Sequence, residues 1–293
     1  MRKRTTTLFD AVNVGFMLLF MLSVLYPFYN LLVTSFSLPN DILTQQLQLW
    51  PKHFTLDSYR IVFSNDDVAR GYVNTLIRTV FGTALSIVVT MCAAYALSQR
   101  GMPLRGAITV YFLFTMFFSG GLIPTYLWIR DLGLVNSRLS LILPGVLGVF
   151  NLVVMRNYIQ GSIDKSLEES AAMDGAGPIR ILAQIIAPLC KPVLATIALW
   201  TMVAHWNAWF DAMIYINDPD KQVLQMLLRK IMFNYDDGAI GTAKALLGLQ
   251  VNAVNPNTLK AAFIFVTIGP IVLVYPFLQR YFVKGIMIGA LKG

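Results

Sequence analysis

Long apolar runs, separated by short polar segments, occupy most of the chain. A helix needs about 20 mostly apolar residues to cross a bilayer. Six runs meet that length: 11–34, 73–98, 107–128, 139–158, 192–216 and 261–282. The pattern predicts an all-α integral membrane protein with six transmembrane helices, in a single transmembrane domain covering 1–293. Prolines recur inside the runs, at Pro27, Pro124, Pro144, Pro270 and Pro276. Each removes a backbone donor and favours a kink. Kinks persist where neighbouring helices or a cavity satisfy the freed groups. The prolines therefore suit either a pathway protein or plain helix packing.

The first run follows Arg2, Lys3 and Arg4, as the apolar stretch of a secretory leader would. Such a stretch is about 7–15 residues long and ends at a small-residue cleavage site. The run from Val12 to Val33 is longer and carries Pro27 instead. It reads as a retained span. An even number of spans puts both termini on one side. The short segments of that side, 1–10, 99–106 and 280–293, hold eight basic residues in 32 positions. The short opposite loop, 128–138, holds only Arg130 and Arg138. Basic residues in short loops mark the cytoplasmic face, so both termini are expected in the cytoplasm. Two long segments, 35–72 and 217–260, then lie outside. Amphipathic stretches such as 223–231 fit a cap, a partner surface or ordinary loop packing.

Composition removes the soluble alternatives. Hydrophobic residues make up 56% of the 293 and charged residues only 13%, where soluble domains carry about 25% charged. The net charge of +8 is spread between apolar runs. That distribution points to anionic membrane lipids as partners and not to nucleic acid. Cys92 and Cys190 show no disulfide or metal spacing and read as structural thiols. His53 and His205 are too far apart to suggest a metal site. The chain lacks a G-x-x-x-x-G-K-[ST] phosphate loop, so it is expected neither to bind nor to hydrolyse ATP itself.

The most informative polar segment is 164–192, DKSLEESAAMDGAGPIRILAQIIAPLCKP. Ser166 and Glu169 have capping-box spacing, which predicts a helix starting at Ser166. Gly175 can take the left-handed conformation that ends it. Pro178 suits the first turn of a second helix, with Ile179, Leu182, Ile185 and Ile186 on one apolar face. The first helix is too short to be stable alone in water. Its small residues Ser170, Ala171 and Ala172 would let another backbone approach, and Glu168 and Glu169 offer acceptors. The segment is either a docking handle for a partner or a solvated connector.

At these residues a family resemblance appears. Glu169-Ser170-Ala171, Asp174-Gly175-Ala176 and Ile185-Ile186-Ala187-Pro188 resemble the EAA loop of ABC importer permeases. The chain departs from that pattern at Ser170, where Ala is usual, and at Ala187, where Leu is usual. Asn74-Thr75-Leu76, 133–137 (GLVNS) and Trp206-Asn207-Ala208-Trp209 are similar to other family segments, with Trp209 in place of the usual Phe. Residues 279–285 (QRYFVKG) with Lys292-Gly293 resemble the tail of the carbohydrate-uptake subgroup. Residues 118–124 (FSGGLIP) are similar to a branch that handles oligosaccharides, alginate fragments among them.

The resemblance implies a type I importer permease in a bacterial inner membrane, with a cytoplasmic coupling helix. Glu168, Glu169, Ser170, Ala171, Ala172, Asp174 and Gly175 would couple it to an ATPase, Glu169 for docking and Gly175 for the turn. The implied partners are a second homologous permease, an ATPase subunit dimer, an extracytoplasmic solute-binding protein and a saccharide. ATP and Mg would be used by the ATPase, and no cofactor by this chain.

Saccharide sites combine aromatic faces with hydrogen-bonding groups. Trp206, Asn207, Trp209 and Asp211 cluster with His205 in the fifth run. The two tryptophans are three apart, so on one helix they would roughly share a face. Asp211 would be costly against lipid. The cluster either lines a substrate pathway or forms an interfacial aromatic belt with a solvated aspartate. A secondary transporter of a small polar solute is the alternative function; it calls for ionisable groups buried mid-span. A membrane-embedded enzyme would need a catalytic constellation that the spans lack.

Overall fold

The computed structural model describes residues 8–38, 41–42, 49–233 and 256–290. Arg2, Lys3, Arg4, Lys292, Gly293 and the stretch 234–255 lie outside the described residues. Among the described residues no strand forms; an isolated bridge joins Ser37 and Phe54. The chain divides into two compact units, Met1–Val68 with Leu228–Gly269 and Ala69–Leu227 with Pro270–Gly293.

In the first unit, α1 runs from Leu8 to Ser35 as one helix, with Pro27 inside it. None of its most apolar 18-residue window is buried (0%). The helix closes as Ser35 and Ser37 hydroxyls donate to the carbonyls of Leu32 and Val33, each at 2.7 Å. Phe36 then stacks on Phe54 with ring centres 5.2 Å apart and meets Tyr59 at 5.0 Å. Tyr59 belongs to α2, Asp57–Ser64. These rings order a segment that the sequence leaves open between cap and loop.

The second unit is built on α3, Asp66–Ser98, 33 residues long and so about 50 Å from end to end. Its buried stripe is polar: Asn74, Thr75, Arg78, Thr79, Thr83, Ser86 and Thr90. Val73, Leu76, Val80, Phe81 and Val88 face outward. Lipid tails solvate apolar side chains, so polar groups turn inward, the reverse of a soluble helix. Gly82 permits one close approach: a Cβ there would lie 2.5 Å from His205 Nε2.

Three expected runs, 11–34, 73–98 and 261–282, fall within single helices, the last being α12, Pro256–Ala290, with Pro270 and Pro276 inside. The others are interrupted. Run 107–128 is split into α4, Arg105–Phe117, and α5, Leu122–Asp131, bent by 114°. Gly121 enables the break with φ +89°. Run 139–158 starts as a 3-10 turn, Arg138–Leu141, passes irregularly through Pro144 and Gly145, and becomes helical only as α6, Val149–Ser162. Run 192–216 is α9, Lys191–Asn207, then α10, Phe210–Tyr215, separated by Ala208 in an extended conformation. Among the described residues three helices are thus long and apolar enough to cross a membrane, or up to five if each bent pair, Arg105–Phe117 with Leu122–Asp131 and Pro178–Leu189 with Lys191–Asn207, forms one span. A hydropathy run measures polarity and length; it does not sense glycine-permitted breaks.

Candidate functional site

The segment 164–192 folds into an elbow of two helices. The first, α7, is Lys165–Met173. It begins one residue before the expected start. Its cap is Asp164, whose carboxylate accepts from Ser166 N–H at 3.0 Å. An aspartate two residues before the expected cap competes with the serine and wins, because a carboxylate accepts a stronger, charge-assisted bond. That bond holds the Asp164 carboxyl below its ordinary pKa.

Gly175 sits at φ +80°, as its place in the sequence predicts. The turn is a Schellman closure. Ala176 N–H donates to Ala171 O at 2.9 Å and Gly175 N–H to Ala172 O at 3.0 Å. Gly177 then caps α8, Pro178–Leu189, with Pro178 in its first turn. Residues Leu182–Ile186 form a π-helical turn, which rotates the faces expected from regular spacing. Ile186 and Ile181 are buried, whereas Ile179 is 84% exposed. The expected apolar face therefore loses Ile179 and gains Ile181.

A core seats the elbow within the second unit. Ala94, Leu97, Leu152, Met155, Ile186, Cys190 and Ile197 are buried together, and Ala171 and Ala176 pack against them. Glu168 accepts from Gln99 Nε2 at 2.8 Å and from Tyr95 Oη at 3.2 Å. Those bonds tie α7 to the end of α3. Glu169, Ser170, Ala172, Asp174 and Gly175 are exposed. Met173 is 88% exposed, and with Ile179 it leaves an apolar tip on an otherwise polar elbow. The two adjacent glutamates thus divide the work: one anchors inward, the other stays free.

About 26 Å along α3 from Tyr95, a second polar cluster forms around Arg78. The Arg78 side chain is 5% exposed. Its guanidinium grips Asp211 with both nitrogens, Nη1 to Oδ1 at 3.0 Å and Nη2 to Oδ2. It also donates to Ala208 O at 3.3 Å. The clamp spans the break between α9 and α10. Asp211, its side chain 28% exposed, is therefore held in an ion pair with a buried arginine. Trp206 is buried edge-on to Tyr72, ring centres 6.1 Å apart. Asn207 accepts from Gln225 at 3.3 Å. Trp209 lies past the break and packs on Phe210. The helical spacing that would give the tryptophans one face does not hold across it.

Sequence reasoning singled out Asn74 and Thr75 by resemblance but missed the partners through which they order this end. Asn74 donates to the carbonyls of Asp220 and Gln222 at 2.8 and 3.0 Å and accepts from Arg138 at 2.9 Å. Arg70 pairs with Asp220 at 3.1 Å. Thr75 accepts from Leu224 N–H at 2.9 Å, at the start of α11, Leu224–Phe233. Lys221 and the Asp220 N–H hold Asp218 below its ordinary pKa. Arg78 was detectable: an arginine well inside an apolar run demands a partner. The other partners lie about 60–150 residues away, and no spacing rule reaches them.

Among the described residues no cluster of His, Cys, Asp or Glu could hold a metal. Residues 72–288 match the family described as binding-protein-dependent transport system inner membrane component. The polygalacturonan/rhamnogalacturonan transport system permease protein YtcP of Bacillus subtilis is 38% identical over 98% of this chain and 99% of its own length. Its melibiose/raffinose/stachyose import permease protein MelC is 28% identical over 91% of each chain. Among solved structures, a chain of a bacterial ABC transporter involved in import of the acidic polysaccharide alginate superposes with a TM-score of 0.87. It is 34% identical, with 96% of this chain and 99% of that chain covered.

Proposed function

The chain belongs to the inner-membrane components of binding-protein-dependent transport systems, and from that premise we propose that its 164–192 elbow is the handle by which an ATPase drives saccharide import. It is a permease subunit of a sugar ABC importer and not an enzyme; ATP is hydrolysed in a separate subunit. A secondary transporter is not favoured. The observation that carries the reading is the elbow's division into an anchored side, Glu168 on Gln99 and Tyr95, and a free side, Glu169 to Gly175 with Met173 and Ile179 at the tip. A rigid glycine turn presents a small, partly apolar knob, the shape that fills a cleft on a partner.

In this reading both termini and the elbow are cytoplasmic, and the chain acts as one transmembrane permease domain. Its partners are a second, homologous permease, an ATPase dimer and an external solute-binding protein. Closure of the ATPase pair pulls the elbow, and Glu168 carries the motion into α3. Alternating access follows because nucleotide binds the two states unequally. The chain itself holds no cofactor. The cargo is an oligosaccharide, and acidic fragments such as those of alginate are the first to test, given the alginate importer's 34% identity. Trp206, Asn207, Trp209 and Asp211 act by shaping the pathway wall rather than by offering Asp211 to the sugar.

The test is the ATPase rate of the purified complex with its binding protein and single saccharides. Stimulation by one oligosaccharide class is expected. Stimulation by none, or by a non-saccharide solute alone, would contradict the cargo assignment.

A further inference from the structure

Behind the elbow, on the side turned towards α3, lies a cavity of about 180 Å³, room for a group several times the size of a water molecule. Arg100, Arg105 and Lys165 line it, with Gln160 and Glu168. Against three cations stands one carboxylate, so the lining carries a net charge of +2 (three minus one). The carboxylate is already engaged, accepting from Gln99 and Tyr95. Among the described residues, none of the three cations has an ion pair or a side-chain hydrogen bond. Arg156 stands close enough to Arg105 for their charges to repel, and its Nε is buried with no partner.

Like charges in excess of their counter-charge repel one another and are tolerated where an anion neutralises them. The chemistry of the donors narrows the anion. Arginine forks suit tetrahedral oxyanions bidentately, and a lysine adds a point charge. The loop 99–104 that supplies Arg100 follows the apolar helix α3, the position at which a spanning helix meets lipid headgroups. We propose that this cavity binds a phosphate group, and that its source is the headgroup of an anionic phospholipid. The bound phosphate bridges Lys165 on the elbow to Arg100 on the loop behind it and Arg105 at the start of α4. It thereby braces the elbow from the side opposite its free tip. The cavity shares Glu168 with the elbow's anchored side but none of its free side, Glu169 to Gly175, so lipid retention and ATPase docking are tested separately.

The experiment uses the assembled importer in nanodiscs of phosphatidylcholine with or without phosphatidylglycerol. Native mass spectrometry counts lipids retained after detergent release. Each basic residue near an anionic surface contributes roughly five-fold in affinity. The double variant Arg100→Gln/Arg105→Gln is then expected to retain phosphatidylglycerol about 25-fold less well. Arg100→Lys/Arg105→Lys should keep most of it, which separates lost charge from lost folding. Lys165→Gln, on another element, should lose about five-fold. Tight binding of inorganic phosphate in phosphatidylcholine discs, with phosphatidylglycerol retained no better by the parent than by the charge-removal variants, would overturn the lipid source. Equal retention by parent and charge-removal variants would overturn the proposal. So would release of the ATPase subunits from the double variant with lipid retention unchanged, since the cations would then contact the protein partner.

Discussion

Arg78 and Asp211 are each tolerable inside the second unit only because the other is there. Arg78 is almost wholly buried and Asp211 partly so. Removing one partner leaves an uncompensated charge, at a cost of about 3 kcal/mol. Arg78→Met and Asp211→Leu should each lower the melting temperature of the purified protein. The double variant should melt above either single one, because it leaves neither charge orphaned. Equal melting of parent and singles would dismiss the clamp. Asp164 gives a pH signature. Its folded pKa is lowered by the Ser166 N–H, so its contribution is complete above the unfolded value of about 3.9. That contribution disappears as pH falls through the lowered folded value. Hydrogen exchange of α7 amides should be faster in Asp164→Ala than in the parent at pH 7, and the difference should vanish at strongly acid pH. No difference at pH 7 would remove the cap. How much of this was legible differs by residue. Gly175 and Pro178 were placed from sequence because their backbone preferences are intrinsic. The cap was misplaced by two residues because Asp164 and Ser166 both qualify, and only the bond geometry decides between them.

At the scale of elements, hydropathy located every apolar run but not the breaks within them. Gly121, Pro144 and Ala208 interrupt runs that polarity alone reads as continuous. The π-helical turn at Leu182–Ile186 is likewise invisible to a 3.6-residue period, and it is why Ile179 ends exposed. Resemblance to a known loop carried the elbow's assignment further than spacing did. The elbow now makes separable claims. Gly175→Pro cannot reach φ +80°, since proline fixes φ near about −65°. Nothing lies within 4 Å of a Cβ at that position, so the damage comes from the backbone alone. Glu169→Ala removes a free acceptor without touching the core. Both should lower ATP-coupled uptake at least several-fold while membrane insertion stays intact. Normal uptake in both would count against docking. Glu168→Gln should behave differently, loosening α7 from α3 and raising basal ATPase relative to transport.

At the scale of the whole molecule, α3 links the two polar clusters within one rigid element. Arg78 sits about 18 Å from its start and Tyr95 near its end, about 26 Å apart along the axis. A displacement at the elbow therefore reaches the clamp across α9 and α10 without passing through a loop. The proposed cargo depends on the proposed partner subunits as well, so the mechanical claim is the more direct target. Cysteine placed at Met173, 88% exposed at the elbow's tip, can be cross-linked in the assembled importer with Cys92 replaced by Ser to silence the exposed native thiol. The account predicts an adduct with the nucleotide-hydrolysing subunit whose yield changes between nucleotide-free and ATP-bound states. An adduct with the external binding protein, or none with the ATPase in either state, would contradict it.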